Sequence, residues 1–162
     1  MAAPITIPHS AGDYFAIGGF GIHWKIDGAA SDKRFSVVHH PLAPHALAAP
    51  LHRHHREDEY SYVLTGRLAA LLGDDVVTAE PGTWMFKPRN QWHTFWNAGD
   101  EPCEIIELIS PAGFENYFRE LAALWPDQTK LLRKYELDMD PGSVTELCAR
   151  YGLVSARREA AT

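Results

Sequence analysis

Apolar and polar residues alternate in short runs through the first hundred residues, at the two-residue period of half-buried strands. The pattern predicts strands at Phe20–Ile26, Phe35–His39, Glu59–Leu64, Arg67–Leu72, Val76–Ala79, Thr83–Phe86, His93–Trp96 and Glu104–Ile109. Each is rich in Val, Ile, Phe, Tyr, Trp or Thr. Asp27-Gly28, Thr65-Gly66, Gly73-Asp74-Asp75, Pro81-Gly82 and Ala98-Gly99-Asp100 separate them and supply turn chemistry. Short strands at close spacing with no helices between them predict an all-β, antiparallel sandwich or barrel.

The period changes after Ser110-Pro111. Phe114, Tyr117, Phe118, Leu121 and Leu124 recur at helical spacing, with Pro126 as the stop. A last helix is predicted from Pro141 to Tyr151, capped by Asp140 and ended by Gly152, with Val144, Leu147, Cys148 and Tyr151 on one face. The expected organisation is therefore a barrel with its N-terminal strands over residues 1–112, and a helical extension over 113–162 packed on the barrel or on a second subunit.

Composition narrows the function. The chain has 162 residues, enough for one domain with a substantial core. A net charge of -6 argues against a nucleic-acid partner, and the two helices lie in an acidic-to-neutral stretch without a reading surface for DNA. Arg157-Arg158 reads as a solvated tail. No apolar run approaches the roughly 20 residues of a membrane helix. The start lacks a secretory pattern, so a cytoplasmic location is expected. Cys103 and Cys148 form no CxxC motif and are expected to pack as small apolar residues.

Histidine is the outlier. Six of the nine copies (His39, His40, His45, His52, His54, His55) fall within seventeen residues, and neutral imidazole is the commonest transition-metal side-chain ligand. In an extended segment His52 and His54 point to one side, while His55 points away. Glu57, Asp58 and Glu59 follow, and composition alone does not choose among them. His93 opens a strand after the stiff turn Pro88-Arg89-Asn90. Three imidazoles and one carboxylate leave positions open on a six-coordinate ion, as in a working site rather than a closed structural one.

The segment from His52-Arg53-His54 through Glu59 to Gly66 resembles the first cupin motif, and Gly82, Pro88, Asn90, His93 and Asn97 resemble the second. Fifteen residues separate Gly66 from Gly82, similar to compact single-domain cupins. The resemblance implies a jelly-roll barrel, a homodimer, and one divalent ion (Fe, Ni, Mn, Co or Zn) held by His52, His54, Glu59 and His93. It thereby selects Glu59 over its acidic neighbours. Two positions depart from the pattern: His45-Ala46 stands where a glycine is expected, and Asn90 replaces the second motif's glycine. Asn tolerates the left-handed conformation, so the second turn is expected to survive.

Alternation aims further residues at the cavity. Glu107, in an apolar strand that ends at Ser110-Pro111, is expected to face in as an acid or base, as in similar cupin lyases. Ser61 shares the face of Glu59, Phe95 that of His93, and His39 is the expected inward histidine of its strand. Lys87 reads as a solvated lysine near the rim. For a small organic substrate, resemblance to quercetinase-like cupins implies a dioxygenase, with Glu59 among the catalytic residues. The alternatives are a redox-silent isomerase, cyclase or lyase using Glu107 on a metal-polarised carbonyl, or a non-enzymatic binding module.

Overall fold

The computed structural model describes residues 5–124 and 128–155. The expected helix stop at Pro126, the Leu124 side chain and the Arg157-Arg158 tail lie outside what is described. The strands are β1 (Tyr14–Ile17), β2 (Phe20–Ile26), β3 (Ser36–Leu42), β4 (Ala46–Leu47), β5 (Leu51–His54), β6 (Asp58–Thr65), β7 (Leu68–Leu72), β8 (Asp75–Ala79), β9 (Trp84–Lys87), β10 (His93–Asn97) and β11 (Cys103–Ser110). Then come α1 (Glu115–Leu124), α2 (Thr129–Lys134), β12 (Leu137–Asp140), α3 (Ser143–Tyr151) and β13 (Val154–Ser155).

One sheet runs β1-β2-β3-β11-β6-β9. The other runs β12-β5-β10-β4-β13, with β7 also on β10 and β8 on β7. All pairings are antiparallel except that of β13 with β4. The sheets enclose one main core, to which β2, β3, β6, β7 and β11 give Ile22, Val38, Val63, Leu68 and Ile105. β11 alternates throughout between buried and half-covered positions, and β6 does so up to its exposed last residue, Thr65. Glu59, Ser61 and Glu107 therefore occupy inward places that an apolar residue would ordinarily fill. β10 is buried at all five positions; on its outer side Trp96 stacks on Tyr151 of α3 at 4.9 Å and Thr94 donates to the Ala49 carbonyl.

The C-terminal segment joins the barrel rather than standing apart from it. β12 continues the sheet beside β5, pairing Leu137 with His54 and Met139 with His52. Phe114, Tyr117 and Leu121 enter the main core, while Leu147 of α3 forms a smaller cluster with Leu47 and Trp96. The Glu115 carboxylate anchors this segment, accepting from the amides of Gly28 (2.9 Å) and Gly113 (2.6 Å). The last helix begins at Ser143, not Pro141: Asp140 accepts from the Gly142 amide in a turn that delays helix entry. The face expected for it, with Val144, Leu147, Cys148 and Tyr151, is the one that packs.

Both departures from the motif glycines are turns with positive φ. His45 adopts φ 57° and its imidazole meets Asp100 at 2.9 Å; Asn90 adopts φ 65° and its side-chain oxygen accepts from His55 at 3.0 Å. In each case a side-chain bond accompanies the left-handed backbone that glycine would adopt freely.

Candidate metal centre

β5, β6 and β10 bring His52, His54, Glu59 and His93 together, all buried, with one donor atom from each lying within 4.8 Å of the others. Strand period places His52 and His54 on one side of β5, and His93 sits directly across from His52 in the β10 pairing. The three acidic neighbours separate by direction. Asp58 turns outward to Arg89 (2.7 Å), Glu57 lies behind His54 with 3.7 Å between its carboxylate and Nδ1, and Glu59 points into the cluster.

Hydrogen bonding sets the tautomers. His52 Nδ1 donates to the Pro50 carbonyl at 2.8 Å, and His93 Nδ1 to the Gln91 carbonyl at 3.0 Å. Each ring therefore turns an unprotonated Nε2 toward the centre when neutral. His93 Nε2 nonetheless stands 3.2 Å from Glu59 Oε2, and His54 Nε2 lies 3.3 Å from Glu59 Oε1 with neither ring nitrogen of His54 hydrogen-bonded. A proton or a metal ion between the imidazole nitrogens and the carboxylate satisfies both contacts. The donor set of three imidazoles and one carboxylate fits a divalent transition ion.

Electrostatics point the same way. Burial, followed by repulsion from the neighbouring imidazoles, holds His52 well below its ordinary value. Burial also opposes charge on His54, but Glu59 and Glu57 outweigh it and carry this one histidine up to about 9. Without an ion, a proton on His54 supplies the positive charge beside Glu59.

A second carboxylate adjoins the cluster. Glu107 is fully buried and faces inward, its Oε2 accepting from Ser61 Oγ and Lys87 Nζ, both at 2.8 Å. Lys87 also meets Glu59 at 3.0 Å, so one ammonium joins the two acids. The reading of Lys87 as a solvated rim residue is corrected: its side chain is 0% exposed and lies 4.3 Å from the Phe95 ring centroid. Burial pushes the Glu107 carboxyl up, Lys87 pulls it down and Glu59 raises it again, leaving it at about 7. Its Oε1 is buried without a partner.

Glu107, His52 and Glu59 open onto one cavity whose other walls are mostly apolar, with Phe20, Phe95, Phe114 and Leu137 among them. Phe95 is among the lining residues; Ser61 is not, and its hydroxyl donates to Glu107. His39 is a correction. It faces the opposite side of β3 and meets Glu104 at 3.2 Å, whereas His40 enters the cavity wall with Nδ1 on the Gly21 carbonyl at 2.8 Å. In a row of two histidines alternation admits one, and apolar spacing did not say which. Burial pushes His40 down to about 3, so it remains neutral.

Residues 38–109 match the Cupin domain family model. Solved structures agree in fold. The structure of KdgF from Halomonas sp. superposes with a TM-score of 0.60 at 18% identity, over 68% of this chain and 96% of that one. A predicted oxalate decarboxylase from Thermotoga maritima gives 0.60 at 17%, over 66% and 99%. Pac13, described as a unique nucleoside dehydratase, gives 0.56 at 16%, over 70% and 88%. No curated protein matches the sequence. The motif spacing, the antiparallel barrel and the family match agree: this chain contains a cupin domain.

Proposed function

We propose that this protein is a metal-dependent cupin enzyme that moves a proton on a small, largely apolar substrate, as an isomerase, cyclase or lyase. The observation that carries this reading is Glu107, a buried carboxyl with one oxygen free, on the same cavity wall as His52 and Glu59. A divalent ion on His52, His54, Glu59 and His93 would supply a Lewis acid that polarises a substrate carbonyl or hydroxyl.

The chain's own groups supply the rest. Lys87 and Ser61 fix Glu107 Oε2, leaving Oε1, which has no partner, as the oxygen to take or give a proton. A carboxyl near 7 is populated in both forms at neutral pH, as such a role requires. The aromatic and aliphatic walls exclude water and favour a substrate with few hydroxyls.

Those walls also favour a second reading, a dioxygenase acting on an apolar enol. The two readings separate on enolisable diketones and flavonols incubated with tag-free, metal-loaded protein. Deuterium wash-in from D2O that is lost in Glu107→Gln supports proton transfer. Stoichiometric oxygen uptake that persists in Glu107→Gln overturns it in favour of oxygen chemistry.

A further inference from the structure

We propose that His9, His39 and Glu104 form a second divalent-cation site on the outer face of the barrel, separate from the central one, for an imidazole-preferring ion such as zinc, nickel or copper(II). One ligand atom from each lies within 4.8 Å of the others. His39 Nε2 stands 3.2 Å and His9 Nε2 3.8 Å from the same oxygen, Glu104 Oε2. Two imidazole nitrogens converging on one carboxylate oxygen form one side of a tetrahedral or five-coordinate shell, and solvent is available for the remaining positions.

Two observations mark a built site rather than a chance surface cluster. The first is His39. Its ring is 3% exposed and its Nδ1 is buried without a hydrogen-bond partner, so the side chain bears a desolvation penalty that its single bond to Glu104 only partly offsets. His23, paired directly across from it on β2, stacks at 5.4 Å between ring centroids and also buries an unpartnered Nδ1. Tyr14 closes the row at 4.4 Å from His23. The rings hold His39 in one orientation, with Nε2 toward Glu104.

The second is the placement of His9. The segment before β1 lies down on β2 through a turn from Pro8 to Ala11, and Lys25 Nζ donates to the carbonyls of both His9 and Ala11. Gly12 makes the approach possible. It has φ 102°, and a Cβ there would stand 2.0 Å from the Trp24 carbonyl oxygen. This brings the His9 ring to 4.8 Å from that of His39. Lys25 and Glu104 are the charged groups near this face. Burial, against the pull of Glu104, keeps His39 below its ordinary value, and burial and then Lys25 do so for His23. Neutral imidazoles bind metal near neutral pH without first losing a proton.

The site is independent of the reaction proposed above, because His39 and the cavity residue His40 lie on opposite faces of β3. The test is zinc binding to tag-free, chelator-stripped full-length protein, read by calorimetry and by metal analysis after dialysis. Two equivalents are expected for the wild type. His9→Ala, at an exposed ring, should weaken one of them by about tenfold or more without disturbing the fold. His54→Ala should lose the other equivalent and keep the His9-dependent one. Wild-type stoichiometry and affinity that are unchanged in both His9→Ala and Glu104→Gln would overturn the outer site. Two equivalents unaffected by His54→Ala would instead count against the central one.

Discussion

At the scale of single residues, the proposed chemistry depends on which way a side chain faces, and polarity was a misleading guide to that. In β9, Trp84 and Phe86 read as core or dimer-interface residues and Lys87 as a solvated one; the two aromatics are 59% and 51% exposed, while Met85 and Lys87 point inward. Lys87 is buried because its register partner is Glu59 and Glu107 lies beside it; an ion triplet across three strands cannot be seen in a linear pattern. Glu107, by contrast, was legible, since alternation in β11 has one answer. Replacing it by Gln should cut turnover by about a hundredfold or more, abolish the pH limb near 7 and leave bound metal unchanged. Rates against pH beside metal analysis would check this.

The same residue has a stability signature in metal-free protein. Its folded-state value is raised from 4.5 to about 7, so the folded state holds the extra proton between those limits. Stability should therefore fall as pH rises through that window, by roughly 3 kcal/mol at most, and Glu107→Gln should be free of the loss. His40 has the opposite sign. It is lowered from 6.5 to about 3, the unfolded chain takes the proton first, and stability should fall as pH drops below 6.5 at about 1.4 kcal/mol per unit. Urea unfolding across pH, comparing His40→Gln and Glu107→Gln with wild type, separates the two slopes.

At the scale of elements, the long strands were readable because their hydrophobic period and turn residues agree. What escaped was short or edge-bound. β4 and β13 have two residues each, and β12 exists because Leu137 and Met139 can lie against β5, a contact more than eighty residues away in sequence. Turn glycines differ in how strictly they are required. Gly66 has φ 74° and a Cβ there would stand 2.6 Å from the Cys103 and Pro102 backbone, whereas Gly82, at φ 89°, has nothing within 4 Å. Gly66→Ala should cost about 3 kcal/mol or more, since strain and clash combine, and Gly82→Ala about 1 to 2 kcal/mol from strain alone. Chemical denaturation of the two variants would show the gap, and equal losses would mean that β11 can shift away from the turn.

At the scale of the whole molecule, metal binding and folding should separate. The core is carried by apolar strand faces, and the four clustered residues contribute none of it. His52→Ala and His93→Ala should lose the central ion yet keep the circular-dichroism spectrum and a cooperative melt. A variant unfolded at room temperature would show that the ion holds the barrel together. No described helix is long and apolar enough to cross a membrane.

The cavity has a mixed parentage. Its clustered histidines and acids come from residues 40–107, inside the segment that matches the family, but more than half of its lining comes from outside that segment, from Ile17 and Phe20 before it and Phe114 to Ser155 after it. On the proposed function, the reacting groups all come from the matched segment, while the apolar walls come from both that segment and the two ends. A graft of the two ends from another barrel would therefore change the guest while leaving the hearth in place.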